Sequence, residues 1–352
     1  MKILSPGQEI LTPGLGIPGR VLIDNHGTRL VFLCDHVRES QEDLVRTFQK
    51  LSVPQIVNRM VLKAVTSFCL EIGRTIGKTD LRVEACVPFE DRSNRPLYWV
   101  VAGLNSGNRI RNPLLQANQK AFMAEMVRNA HYAPQSASQL FEFSMNFLAG
   151  IKNLKMIRLS PSSFFLHKKQ LENLYTKVFD HYPYDVLNLM ERSSENNLFL
   201  ACIGEGLGGE QIIGCLGVET ASLGGITVGE IGGGAVQPGC RGFSAVLHRY
   251  LMQWLVQYYQ VPDLLFSETR ISRRGLSLKA NRFAGRELHP ETILPWHTAI
   301  ASSIDPGEYI ALNGSRNIPF YAENMTVTSL TRAQTIDTLK RLGEIPLPFS
   351  TA

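Results

Sequence analysis

The stretch Ile226-Thr-Val-Gly-Glu-Ile-Gly-Gly-Gly-Ala-Val236, then Gln237-Pro-Gly-Cys-Arg-Gly242, then Phe243-Ser-Ala-Val-Leu-His-Arg-Tyr-Leu-Met-Gln-Trp-Leu-Val-Gln257, changes character twice. Its first part carries the β-type run Ile226–Ile231. Pro238 and Gly239 then suit a tight turn, and after it Val246, Leu247, Tyr250, Leu251, Trp254 and Leu255 recur as one face of a helix. Strand, tight turn, helix is a geometry in which the first helical turn has N–H groups without intrahelical partners. Those amides and the positive end of the helix dipole favour an anion. Arg241 adds a full positive charge at the same place, suited to a diphosphate.

Upstream, residues 204–234 contain twelve glycines. Gly206-Leu-Gly-Gly209 and Gly224-Gly225 separate three β-type runs, Leu198–Ile203, Gln211–Val218 and Ile226–Ile231, which predicts an antiparallel meander. Glycine inside such strands marks a bulge or a close approach to the backbone. The plain alternative is a merely glycine-rich sheet edge.

The N-terminal segment, 1–155, has a different texture. Arg20–Asp24 and Thr28–Cys34 read as strands around Asn25-His-Gly27. Apolar residues three or four apart from Ser40 to Gly73, among them Leu44, Phe48, Leu51, Ile56, Met60, Leu62 and Val65, predict helix broken near Pro54. Strands are expected again at Leu81–Val87 and Leu97–Ala102, and helices near 113–130 and 137–151. Asp35-His36 and Asn105–Asn108 are its polar clusters, and turn or strand-end roles account for them.

At 352 residues the chain exceeds the roughly 100–200 residues of one domain. We divide it into an α/β domain over 1–155, a second domain over 156–335 and a tail over 336–352. The apolar share of 44% fits a globular protein, and no run approaches the ~18 apolar residues of a membrane helix. Pro6 and Gly7 stand where a secretory signal has its apolar core, so a cytoplasmic location is expected. The six cysteines have no paired spacing, which fits free thiols in a reducing compartment. The eight histidines form no ligand pattern, so no metal is expected. A net charge of +5 decides nothing about polyanionic partners.

Val236, Pro238, Arg241 and Gly242 together resemble motif A of the GNAT superfamily of acyl-CoA-dependent N-acyltransferases, V-x-P-x-x-R/Q-G-x-G-x-G/A. Ser244 and Val246 stand where that pattern has glycines. Tyr175–Val186 looks like the first helix and loop of the β-lysine acetyltransferase branch. Glu268-Thr-Arg270, Leu294–Ile300 and Glu323–Val327 follow the order of its last strands. The resemblance covers about 160–330, half of the chain.

It implies an α/β (α+β) fold, a mixed GNAT-like sheet flanked by helices and preceded by a separate α/β domain. It also implies that the fourth and fifth strands splay and that the pantetheine arm of acetyl-CoA or another acyl-CoA lies in the gap. On this resemblance Val236 lies along the arm, and the amides of Arg241, Gly242, Phe243, Ser244 and Ala245 hold the diphosphate. The Ser244 hydroxyl is free to add a phosphate contact, and Gly232-Gly-Gly234 allows close approach. Glu230 is the candidate base and Glu268 the second candidate, while an ordinary strand-end carboxylate is the plain reading of each. His181 and Asp185 are acceptor-binding candidates. No tyrosine lies between Tyr259 and Tyr309 to act as the acid.

The implied reaction is N-acylation of a primary amine on a small molecule, by direct attack in a ternary complex. Two rivals stand beside it. One is a degenerate GNAT-like binding or scaffold protein. The other is an acyltransferase acting on a macromolecule (a protein, a carrier protein or nucleic acid). The run Arg270–Arg286 carries six basic residues and no acidic one, which suits the adenosine 3′-phosphate, an acyl-carrier protein or nucleic acid, and equally a solvated helix face. His297 reads as a structural histidine.

Overall fold

The computed structural model describes residues 9–11, 20–23, 29–38, 59–68, 82–104, 146, 150–179, 197–206, 209–223, 225–240, 243–270, 287–294 and 325–342. The helical expectations at 113–130 and 137–151, the loop holding His181 and Asp185, most of the basic run 270–286, and His297 fall outside them.

The N-terminal strands are β1 (Glu9–Leu11), β2 (Arg20–Ile23), β3 (Arg29–Arg38), β4 (Arg59–Thr66), β5 (Arg82–Glu90) and β6 (Pro96–Leu104), in one sheet of order β1-β2-β3-β4-β6-β5. The pairs are antiparallel except β3–β4, which is parallel. β4 corrects the helix expected through 73: Arg59–Thr66 is an interior strand. Its apolar residues Met60, Val61, Leu62, Ala64 and Val65 follow no strict alternation, so their spacing imitates a helical one.

The β5–β6 hairpin turns on Asp91. Its Oδ1 accepts from the amides of Ser93 (2.8 Å) and Arg95 (2.9 Å), and Oδ2 accepts from Arg95 Nε at 2.7 Å. Asn94 takes φ +56° there, a conformation Asn tolerates. Chiefly the Arg95 amide holds the Asp91 carboxyl below its ordinary value of 3.8.

The C-terminal elements are β7 (Lys152–Arg158), α1 (Pro161–Phe179), β8 (Asn197–Gly206), β9 (Gly209–Leu223), β10 (Ile226–Val236), α2 (Phe243–Tyr258), β11 (Leu264–Arg270), β12 (Glu287–Leu294), β13 (Met325–Thr331) and α3 (Arg332–Leu342). Their sheet has the order β12-β13-β11-β10-β9-β8-β7. The glycine-bounded runs form the expected antiparallel meander β8-β9-β10. β10 and β11 are the parallel pair of this sheet, joined across α2. The arrangement is the mixed α/β sheet with flanking helices expected of a GNAT-like fold.

β7 crosses the boundary placed at 155/156, so the second sheet starts at Lys152. The tail expected from 336 is also corrected, because α3 is a helix with Thr335, Thr338 and Leu339 buried. Its start is a capping box: the Thr331 amide donates to Gln334 Oε1 at 2.8 Å, and the Gln334 amide to Thr331 Oγ1 at 3.2 Å. α1 opens similarly, with Ser160 and Ser163 bonded reciprocally and Pro161 in the first turn.

Among the described residues, three large apolar layers stand out. On one face of the C-terminal sheet, Leu198, Leu200, Leu216, Val218, Ile231 and Leu265 pack on Val246, Leu247, Tyr250 and Leu251 of α2. On the other face α1 covers β7 to β9 through Phe164, Leu171, Leu174 and Tyr175. The N-terminal sheet covers the rest of that face: Val65, Val87, Trp99 and Val101 pack on Ile226, Val228, Leu264 and Phe266. The two sheets therefore share a core.

A second tie sits at the start of β11. Asp263 is 1% exposed; Arg92 Nε of the β5–β6 turn donates to its Oδ1 at 3.1 Å, and Arg332 Nε lies 3.6 Å from the same oxygen. The Thr227 amide donates to its Oδ2 at 2.8 Å. Asp263→Ala should lower unfolding stability by about 2–3 kcal/mol, the scale of one lost buried acceptor whose cations are partly solvated, read as a lower urea midpoint. For Asp91 the folded carboxyl is the stronger acid. Its stabilisation is therefore present above about pH 4 and lost as pH falls through 3.8 and below. Asp91→Asn should flatten that acid limb in urea titrations between about pH 2 and 5.

Candidate active site

β10 and β11 pair over Val228–Leu264, Gly229–Leu265 and Glu230–Phe266, and there the pairing ends. β10 runs on to Val236 bonded only to β9 on its other side, while β11 runs on to Arg270 bonded to β13. Among the described residues no strand pairs with the inner edges beyond that rung, so the sheet opens into a cleft immediately after Glu230. The cause is local. Between Gly232 and Ala235 the register against β9 slips by one residue, a bulge, and Gly233 takes φ +63°. The hydroxyl of Tyr175, a fully buried residue of α1, donates to the Gly233 carbonyl and ties the bulge down. A Cβ on Gly232 would meet nothing within 4 Å, so the backbone there borders open space.

The turn after β10 is held by two bonds. The Gln237 amide donates to the Ile213 carbonyl at 2.8 Å, and the Cys240 amide to the Gln237 carbonyl at 3.1 Å, across Pro238 and Gly239 with φ +96°. That is a type II turn with its favoured residues. It aims the first turn of α2 toward the end of β10.

Arg241 and Gly242 lie outside the described residues. Phe243 is wholly buried in the core, and its amide already donates to the Cys240 carbonyl at 3.3 Å, a correction to its place among the open amides. The Ser244 hydroxyl oxygen is buried with no hydrogen-bond partner among the described residues. Ala245 sits in the same first helical turn. Val246, standing where motif A has a glycine, packs into the core beneath α2. Val236 is partly buried at the end of β10, against the same core.

Glu230 stands on the last paired rung, at the mouth of the cleft. Lys63 Nζ of β4 lies 2.5 Å from its Oε2, with the two side chains 12% and 30% exposed. Its Oε1 has no hydrogen-bond partner among the described residues. The same ammonium is 5.7 Å from the centre of the Phe266 ring. Glu268 lies on β11 two residues past the last shared rung, opposite Val327 of β13. Glu230 and Glu268 are thus on the two strands that border the cleft.

The thiols nearby are poor nucleophiles. Burial pushes Cys202 and Cys215 up to about 12, and it raises Cys240. No group of three or more His, Cys, Asp or Glu suited to a metal occurs among the described residues. None of the described helices is long and apolar enough to cross a membrane. Lys63 has no sequence signal: nothing in Arg59–Thr66 marks one lysine as facing a carboxylate 167 residues away.

The sequence matches no protein-family profile and no curated protein. Among solved structures the chain is similar to a putative GNAT-family acetyltransferase from Desulfovibrio desulfuricans, with 14% identity, 51% of this chain and 99% of that one covered, and a TM-score of 0.33. It is similar to a variant of the spermidine N-acetyltransferase of Vibrio cholerae, with 10% identity, 52% and 96% covered, and a TM-score of 0.33. It is also similar to the aminoglycoside 6′-N-acetyltransferase of Enterococcus faecium, with 16% identity, 50% and 96% covered, and a TM-score of 0.30. At these identities and scores the likenesses decide nothing about activity, which has to be read from strand register and side-chain placement.

Tyr175→Phe should cost about 1–2 kcal/mol, because it leaves the Gly233 carbonyl without its hydroxyl donor. Guanidinium melts of the variant against the parent chain test this, and an unchanged midpoint refutes the tie.

Proposed function

We propose that this chain is an acyl-CoA-dependent N-acyltransferase that moves an acetyl or similar acyl group to a primary amine on a small molecule. The observation that carries the reading is the end of β10–β11 pairing at Glu230, which leaves a cleft between these strands ahead of the turn into α2. The buried, partnerless Ser244 hydroxyl in that turn fits an anionic group. So does a helix N-terminus preceded by Arg241.

Acyl-CoA supplies an activated thioester carbonyl and a good leaving group. Arg241, the Ser244 hydroxyl and the amides of Gly242, Ser244 and Ala245 hold its diphosphate. The inner edge of β10 from Ile231 to Val236 offers unpaired backbone to the pantetheine arm, with Val236 alongside it and Gly232 leaving room. N–H groups on that edge stabilise negative charge developing on a carbonyl oxygen beside them. Glu230 receives the proton of the acceptor ammonium through Oε1, directly or through one water. Glu268, on the facing strand, is the second candidate for that role. His181 and Asp185 follow α1 in sequence and are the acceptor contacts.

Calorimetry of the full chain with a panel of acyl-CoA thioesters, followed by turnover with simple primary amines, tests the reading. Glu230→Gln should lower turnover by roughly 10²–10⁴-fold with the acetyl-CoA dissociation constant unchanged. Arg241→Ala should chiefly weaken acetyl-CoA binding. No heat with any acyl-CoA would overturn the assignment, leaving a binding or scaffold role.

A further inference from the structure

We infer that the N-terminal sheet is part of the active site, with Lys63 as the positioning residue that aims the Glu230 carboxylate into the β10–β11 cleft. The inference rests on the proposed N-acyltransferase reading. Three observations carry it.

The first is placement. Lys63 and Val65 share a face of β4, and Val65 lies in the apolar layer between the sheets with Val101, Trp99 and Phe266. A leucine or methionine would suit position 63 for packing alone. A lysine side chain only 12% exposed is largely withdrawn from water, and a part-buried pair of this kind at best roughly offsets that loss. Stability therefore does not account for the lysine.

The second is geometry. The pair engages Oε2 and leaves Oε1 without a protein partner among the described residues. A strand glutamate with three rotatable bonds, standing at the edge of an opening, samples many directions unless something fixes it. Lys63 fixes it from one side, and the Phe266 ring lies under the ammonium at 5.7 Å, on the strand across the cleft. The oxygen that remains is the one available to an incoming amine.

The third is that the anchor of this arrangement is rigid. β4 is an interior strand paired on both sides, to β3 and β6. Ile226, Val228, Leu264 and Phe266 lock the same sheet onto the strands that carry Glu230 and the cleft. Position errors of an ångström at a catalytic group are costly, so a base held between two packed sheets is better placed than one on a free edge. This gives the N-terminal half a role in the chemistry that its own sequence does not announce.

The test uses the full chain and four variants, Lys63→Met, Lys63→Arg, Glu230→Gln and the Lys63→Met/Glu230→Gln double variant. Acetyl-CoA binding is measured by calorimetry, steady-state rates with a primary amine, and folding by urea titration. Lys63→Met is expected to lower kcat about 10–100-fold, the scale of a misplaced group, with the acetyl-CoA dissociation constant unchanged. Lys63→Arg should restore part of the loss. In the Glu230→Gln background, Lys63→Met should cost nothing further, since there is no carboxylate left to aim. Should Lys63→Met fail to fold, Lys63→Gln carries the same comparison. An active enzyme whose kcat is unchanged or raised by Lys63→Met, or one in which the two losses multiply, overturns the inference while leaving the acyltransferase reading intact. A parent chain that neither binds acetyl-CoA nor acylates any amine removes both, and that result appears before any variant is made.

Discussion

Two neighbouring parallel strands normally stay paired along their whole shared length, because each unpaired N–H or C=O needs another partner. β10 and β11 give this up after three rungs, and each keeps a different neighbour instead, β9 for one and β13 for the other. The sheet is in effect two half-sheets hinged at Glu230 and Phe266. The extra residue near Gly233 adds local twist and turns β10 away from β11. α1 stabilises that departure through Tyr175, which is also a buried member of its packing surface. Without the resulting opening, Glu230 and the turn before α2 would have no shared space to face.

An opening in the middle of a sheet weakens it, and the remainder of the molecule is arranged around that weakness. α2 spans the hinge on one face, touching Ile231 of β10 and Leu265 of β11 within one apolar cluster. The N-terminal sheet spans it on the other face, touching Val228 and Phe266. At the start of β11, Asp263 joins the β5–β6 turn, β10 and α3 through Arg92, the Thr227 amide and Arg332. A further contact comes from Arg332, which donates to the Val261 carbonyl. The described strands of the two sheets thus share one apolar layer. Cutting at the composition change near 155 would divide β7 and expose the apolar layer at Trp99 and Phe266.

The C-terminal fold is readable in the sequence where local chemistry decides the outcome. Glycine-bounded runs mark the meander. Pro238 and Gly239 mark the turn, and the spacing from Val246 to Leu255 marks α2. The sequence misleads where tertiary context decides. β4 is interior and so lacks alternation, which lets Ile56 to Val65 pass for a helix. The capping box at Thr331 and Gln334 is present in the sequence as Thr-x-x-Gln and is the signal that places α3 correctly. For the site, Glu230 and the α2 turn are visible in the chain, but Lys63 is not. An ion pair between residues 167 apart leaves no local pattern. Whether a motif position faces the ligand or the core is equally invisible, as Val246 shows.

The side-chain directions at 244 and 246 also decide whether the motif is degenerate. Both positions depart from the GNAT pattern, and a Cβ aimed into the turn before α2 would narrow it. The structure separates them. Val246 is fully buried in one cluster with Leu247, Tyr250 and Leu251, so its side chain adds to the packing of α2. Ser244 does the opposite: its hydroxyl is buried, yet no described group bonds it. A buried hydroxyl left without a partner costs stability on the scale of about 1–3 kcal/mol, unless something absent from the folded chain alone completes it. One departure thus belongs to the core beneath α2, and the other is a buried hydroxyl that no described group bonds.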